Sequence, residues 1–416
     1  VKNSSIPWPA YFHYFTIYKQ PRMPKQNRRS FLKGSGMAIL PAFIPATALQ
    51  AAGNIQAHYP GNEDPVLFFG DGIMFEPTAY LAELQKMNSL QPIERDRYGT
   101  GGAVAALEKQ FEQITGKEKA IFMPSGTMAN QLAIAALSGD NTKVFVQDTS
   151  HVYRDEADAA QSVFNKRLMP LAKDKTWFTA EELKQAVETL KDQEVFSSGI
   201  GAISIENPVR RTDGRMIPIE EIRKISEYCR GNNIRMHLDG ARIYMASAWS
   251  GTSIKEYASY FDTIYISLYK YLGASAGAVL CGEKTLIEKM PHLIKIHGGS
   301  MYGNWTNAAM ALQRLNGFED RMKETVKRSA ELFAMLNQDN DLKVIPLDNG
   351  TNIFTLELGK KIDGKKFRDK LRDAYNIRIA MPNAKNQVYL MVNETILNRD
   401  NSALVQAFKE AIKAGS

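Results

Sequence analysis

Cysteine is scarce: two residues in a chain of 416. That excludes a disulfide-stapled scaffold and a four-cysteine zinc or iron–sulfur site, and no metal site is expected. No apolar run reaches the ~20 residues that a membrane-spanning helix needs. Internal repeats, low-complexity tracts and long linkers are also missing. What remains is 44% hydrophobic and 23% charged, an ordinary globular composition that excludes disordered, collagen-like and coiled-coil chains. The length suits one large α/β domain with a smaller one beside it.

Acidic residues are absent from the first fifty positions, which hold Lys2, Lys19, Arg22, Lys25, Arg28, Arg29 and Lys33. The formal charge is +7 and the pI about 9.1. Spread over a folded body, that charge would suggest nucleic acid or an anionic membrane. It is not spread: beyond residue 50 the 45 remaining basic residues balance all 45 acidic ones. Neither a nucleic-acid partner nor stable membrane insertion is therefore expected. The segment Arg28-Arg29-Ser30-Phe31-Leu32-Lys33 precedes a short apolar stretch, Gly34 to Ile44, and then small residues around Ala46–Ala52. This resembles a twin-arginine export signal. It implies a removable leader over residues 1–53, the export machinery as a partner, and a bacterial periplasmic location. Met23 is a sensible start for such a leader.

From about Asp64 onward, short β-rich runs alternate with helical patterns. Strands are predicted at Ala120–Met123, Val144–Val146, Ala202–Ile205, Ile234–Leu238 and Thr263–Ile266. Helical spacing covers 102–115, 126–137, 179–190 and 219–229. Strand–helix alternation predicts an α/β fold, a mostly parallel sheet covered on both faces. The pattern changes near residue 316. A large domain is expected over 54–315 and a smaller α/β domain over 316–416.

Four signals carry chemistry. Ser125-Gly126-Thr127 follows a strand and opens a helix, a cradle for one phosphate group or an ordinary helix cap. Asp239 ends a strand in Leu238-Asp239-Gly240-Ala241-Arg242, where a carboxylate holds a protonated pyridine nitrogen or simply caps a helix. Lys270 follows the strand ending Ile266-Ser267, where an amine forms a Schiff base with an aldehyde cofactor or is solvated. Ser267 adds a phosphate contact. His151 follows the strand Val144–Val146 and either stacks on an aromatic ring or fills a loop. In this order the four are the handles of pyridoxal 5′-phosphate.

The chain from about Asp71 onward resembles the threonine aldolases, in the β-eliminating lyase group of fold-type-I pyridoxal phosphate enzymes. The resemblance rests on Arg97-Tyr98-Gly99, Pro124–Asn130, His151-Val152-Tyr153, Glu206-Asn207-Pro208, Leu238–Arg242, Ser267–Gly273 and His297–Met301. It implies a fold-type-I architecture, with Lys270 as the covalent cofactor lysine and Asp239 at the pyridine nitrogen. His151 stacks on the ring and aids proton transfer. Ser125, Gly126, Thr127 and Ser267 surround the phosphate, and Arg242 meets the substrate carboxylate. Cleavage of a β-hydroxy-α-amino acid to glycine and an aldehyde follows, in a homodimer or homotetramer. Lys295 and Tyr98 are candidates to reach a neighbour's site.

Two positions depart from the family pattern. Tyr389 stands where a second carboxylate-binding arginine is expected, with Arg378 on the preceding strand as a substitute. Tyr302 stands where a phosphate-binding arginine is expected. Of the polar residues expected in the loop Phe69-Gly70-Asp71-Gly72, Asp71 alone remains. The cofactor half of the site is intact and the substrate half altered. A β-elimination or other pyridoxal phosphate reaction on a different amino acid is the alternative enzyme. An exported cofactor- or amine-binding protein without turnover is the non-enzymatic alternative. Cys229 and Cys281 read as buried small hydrophobes rather than a pair.

Overall fold

The computed structural model describes residues 64–416. The leader signal, Met23 and the apolar stretch after Arg29 lie outside the described residues. Among the described residues, no helix is long and apolar enough to cross a membrane.

The strands are β1 (Val66–Leu67), β2 (Lys119–Met123), β3 (Lys143–Gln147), β4 (Arg167–Leu171), β5 (Ile200–Glu206), β6 (Arg235–Asp239), β7 (Thr263–Ser267), β8 (Ala278–Gly282), β9 (Leu342–Pro346), β10 (Ile353–Leu358), β11 (Ile377–Arg378) and β12 (Gln387–Met391). Seven of them form the main sheet, in the order β2-β8-β7-β6-β5-β3-β4. β7, β6, β5, β3 and β4 run parallel. β8 is antiparallel to both β7 and β2, so β2 points the same way as the parallel set. Six of the seven strands thus present their carboxyl ends at one edge, where open α/β sheets bind ligands.

Central strands in such a sheet must be apolar on both faces. β3, β7 and β8 are buried at every position. One face is covered by a core that includes Leu107, Phe111, Ile222 and Ile225 from the helices Gly102–Thr115 and Ile219–Gly231. The other is covered by the helix Gly126–Ser138, through Leu132, Ala133 and Leu137. The expected α/β architecture is the one observed.

The C-terminal region has its own core around the three-stranded sheet β12-β10-β9. The helix Phe318–Leu336 contributes Leu332, Phe333 and Leu336 to it, and the helix Asn401–Gly415 contributes Leu404 and Phe408. The chain around β1 belongs here as well. β1 pairs in parallel with β11, and Val66 and Phe68 are buried in the C-terminal core. The loop after β1 is thereby anchored on the smaller region and reaches back toward the large sheet at Asp71.

Candidate active site

At one end of the site, Pro124 leads from β2 into the helix Gly126–Ser138. Ser125 is its N-cap: the backbone is extended, and Oγ accepts the Met128 N–H at 3.2 Å. A helix start leaves further N–H groups unpaired and carries a partial positive charge, which favours an anion. Gly126 is required there, because an added Cβ would overlap the Oη and Cζ of Tyr265. Ser267 ends β7 on the same strand face as Tyr265. Its hydroxyl is buried, close to the phenols of Tyr265 and Tyr269.

At the other end lies a buried polar network. Asp239 ends β6 beside Glu206 of β5 and Tyr265 of β7. Its Oδ1 accepts the Ala241 N–H at 3.1 Å. Its Oδ2 accepts the Asn130 Nδ2–H at 2.9 Å. The same amide nitrogen donates to Glu156 Oε1 at 2.8 Å, and that oxygen pairs with His151 Nδ1 at 2.9 Å. His237 Nε2 lies 2.9 Å from Asn130 Oδ1, and its Nδ1 lies 2.8 Å from Thr263 Oγ1. Glu206 accepts the His151 backbone N–H at 2.7 Å.

The charges follow from this packing. Burial pushes the His151 imidazole down, but the Glu156 hydrogen bond and the charge of Asp239 more than reverse it, so its pKa is raised. Burial holds His237 down at about 4. Burial, with the charge of Asp239 beside it, pushes Glu206 up to about 7.

Lys270 follows β7. Burial, with help from the charge of Arg242, lowers its amine to about 8. Its Nζ lies 5.7 Å from the centre of the Tyr269 ring and makes no hydrogen bond or ion pair among the described residues. Arg242 is bound at one edge by Asp71, with Nε to Oδ1 at 2.6 Å and Nη2 to Oδ2 at 2.9 Å.

A cavity of about 260 Å³ joins these features. Ser125, Gly126, Thr127, His151, Asp239 and Lys270 all line it. Ser267, Arg242, Asp71, Arg378 and Tyr389 do not. Arg378 lies in β11 beside Leu67. Tyr389 lies in β12 opposite Thr355, with 44% of its surface exposed. Tyr98 and Lys295 line a separate cavity of about 600 Å³, and the Lys295 ammonium sits 5.3 Å from the Tyr98 ring centre. Sequence reasoning gave no role to Asn130, Glu156, Glu206, Tyr265 or Tyr269. A faint signal existed for Asn130, which sits one helical turn after Gly126 and so on the same helix face.

The beta-eliminating lyase family matches residues 77–356. The chain belongs to this family. A low-specificity L-threonine aldolase of Candida albicans is 35% identical over 277 residues, covering 66% of this chain and 72% of the relative. That of Saccharomyces cerevisiae is 29% identical, covering 76% and 80%. A solved structure of a putative L-allo-threonine aldolase from Listeria monocytogenes shares the fold, with a TM-score of 0.70 at 24% identity over 85% of this chain and 97% of that one. By family and fold, this lyase-family chain is a fold-type-I enzyme of the pyridoxal phosphate class, related to the threonine aldolases. The relatives correct one expectation. The curated relatives come from fungi, from Arabidopsis thaliana and from Caenorhabditis elegans, and this overturns the bacterial periplasmic location inferred from the basic leader.

Proposed function

We propose that this beta-eliminating lyase family member binds pyridoxal 5′-phosphate and cleaves the Cα–Cβ bond of a β-hydroxy-α-amino acid. With threonine the products are glycine and acetaldehyde. The observation that carries the reading is that Lys270, Asp239, His151 and the Ser125-Gly126-Thr127 turn border one cavity.

The residues fit the cofactor. The helix start at Gly126, where a Cβ would not fit, and the Ser125 and Thr127 hydroxyls beside it offer donors to a phosphate. Asp239 offers a carboxylate to a pyridine N–H, and Lys270 offers an amine to an aldehyde. When bound, the cofactor supplies an electron-withdrawing ring that accepts the electron pair released at Cα.

The chain's own residues do the rest. A lysine at about 8 has a substantial neutral fraction near neutrality, as a nucleophile needs. Glu156 fixes the His151 ring through Nδ1 and leaves Nε2 to take the proton of the substrate hydroxyl. Arg242 is bound by Asp71 through Nε and Nη2, which leaves Nη1 for the substrate carboxylate. Arg378 and Tyr389 are assigned to the outer, substrate-facing wall. Residues 54–315 are read as the cofactor-binding domain and 316–416 as the smaller domain. A homodimer or homotetramer, with Tyr98 and Lys295 near a neighbour's site, completes the proposal and is checked by light scattering.

The test is an assay of the purified protein, loaded with cofactor, on threonine and related β-hydroxy amino acids. Glycine and aldehyde in equal amounts support the reading. Borohydride reduction should fix the cofactor on the peptide carrying Lys270 and on no other. A second reading, β-elimination to ammonia and a keto acid, is favoured by the neutral Tyr389 phenol in β12. Ammonia without glycine would select it.

A further inference from the structure

Two carboxylates and an imidazole crowd the pyridine end of the cavity. The facing polar atoms of His151, Glu156 and Asp239 all lie within 4.8 Å of one another, and Glu156 and Asp239 are both buried. Two buried carboxylates this close ordinarily share a proton, because their repulsion is poorly screened. Here a single side chain stands between them. Asn130 is fully buried, and its one Nδ2 reaches Asp239 Oδ2 at 2.9 Å and Glu156 Oε1 at 2.8 Å. An amide nitrogen has two hydrogens, so each carboxylate receives one.

The orientation of that amide is set from behind. Asn130 Oδ1 lies 2.9 Å from His237 Nε2. His237 is buried and held neutral, and Thr263 Oγ1 meets its Nδ1 at 2.8 Å. A neutral imidazole that donates from Nε2 accepts at Nδ1, so the Thr263 hydroxyl donates. Every group in the line Thr263–His237–Asn130 then has one consistent role. A flipped amide would set its NH2 against the His237 N–H and its oxygen against two carboxylates.

We propose that Asn130 is a positioning residue that lets Asp239 and Glu156 stand side by side without sharing a proton, and so ties the pyridine end of the site to the His151 end. The inference rests on the cofactor reading for what the two ends do, but not for the geometry. With both carboxylates free to accept, Asp239 serves the pyridine N–H while Glu156 orients His151. If the two shared a proton, one of these roles would be lost. Among the described residues, other charged groups that act on the cluster include Glu206 from β5, Lys270 after β7 and Asp155, whose carboxylate acts on His151. Glu206 is turned toward the His151 and Arg210 backbone N–H groups, and Lys270 makes no ion pair that would relieve the repulsion.

The test needs no bound cofactor. Infrared difference spectra of the apo protein at pH 7 report protonated carboxyls. Glu108, raised to about 7, contributes equally to every variant and cancels; Glu206 is raised in part by the charge of Asp239, so every spectrum, the reference included, is taken in a Glu206→Gln background. Asn130→Leu should show one additional protonated carboxyl over wild type, and that band should vanish in Asn130→Leu/Glu156→Gln. The His151 imidazole, followed by NMR, should titrate lower in Asn130→Leu. Asn130→Ser retains one donor, and as the smaller change it serves if the leucine variant does not fold. It should show the same additional band at partial intensity. Cofactor affinity, read by fluorescence quenching, should fall about tenfold or more, as loss of one charge-assisted hydrogen bond predicts. A folded Asn130 variant with the wild-type carboxyl count and His151 titration overturns the proposal. Failure of the wild type to bind the cofactor overturns the function reading instead and leaves the carboxyl count to decide this one.

Discussion

Arg242 and Asp71 meet edge to edge, through two hydrogen bonds of 2.6 and 2.9 Å, although 171 positions separate them in the chain. Both side chains are mostly buried. The pair joins the loop after β1, anchored on the C-terminal core, to the helix start after β6. It also balances the arginine charge that presses on Lys270. Asp71→Asn removes the balancing charge and leaves Arg242 without its ion partner. The variant should lose about 2 kcal/mol of stability, read as a lower urea midpoint at unchanged slope. Its KM for the amino acid should change more than its cofactor affinity, because the proposed function sets Arg242 on the substrate carboxylate.

Gly126→Ala should damage the helix start proposed to hold the cofactor phosphate. The added methyl overlaps both the hydroxyl and the ring carbon of Tyr265, a buried residue that cannot swing away. Overpacking of this kind costs about 1–3 kcal/mol. Thermal unfolding should show that loss, and titration should show weakened cofactor binding. Tyr265→Phe in the same protein should rescue it only in part, since the ring carbon remains in the way.

The Lys270 amine sets a pH dependence. It is charged below about 8 in the folded protein, and in the proposed function the neutral amine is the nucleophile. The rate of covalent cofactor capture should rise with pH through about 8 and then level off, measured by stopped-flow absorbance. Stability carries the same signature. Between about 8 and the ordinary lysine range the unfolded chain binds more protons at this group than the folded one, so its contribution rises with pH there. The span approaches ~3 kcal/mol. Urea titrations of wild type against Lys270→Met at pH 8 and pH 10 should reveal it.

His237 should show its effect on acidification. Its folded pKa is held at about 4, below the ordinary value of 6.5. Across that window the unfolded chain binds the extra proton, so stability is lost as pH falls from 6.5 toward 4. His237→Leu should remove that dependence. It should also cost about 2 kcal/mol at neutral pH, because Asn130 Oδ1 and Thr263 Oγ1 lose their partner. Urea midpoints measured from pH 4 to 7 test both statements.

Much of the fold is legible in the sequence. The strands around Phe122, Phe145, Ile203, Leu238 and Ile264 stand where short apolar runs put them, because burial on both faces leaves a continuous apolar run. Ser125, Asp239 and Lys270 are legible for a related reason: each directly follows or ends such a run, and strand ends in a parallel sheet share one edge. β1 was not legible. Two residues carry no periodicity, and their place is fixed by pairing with β11, more than 300 positions away.

By itself, then, the sequence determined the alternation of strands and helices, the edge where the chemistry gathers and the residue types at that edge. Those depend on local pattern and on chain order. The tertiary structure alone decided that Asp71 engages Arg242, that Tyr265 forces a glycine at 126, and that Asn130 stands between Asp239 and Glu156. These are contacts between side chains far apart in the chain, fixed by strand register and close packing, and neither leaves a periodic trace in the residues themselves.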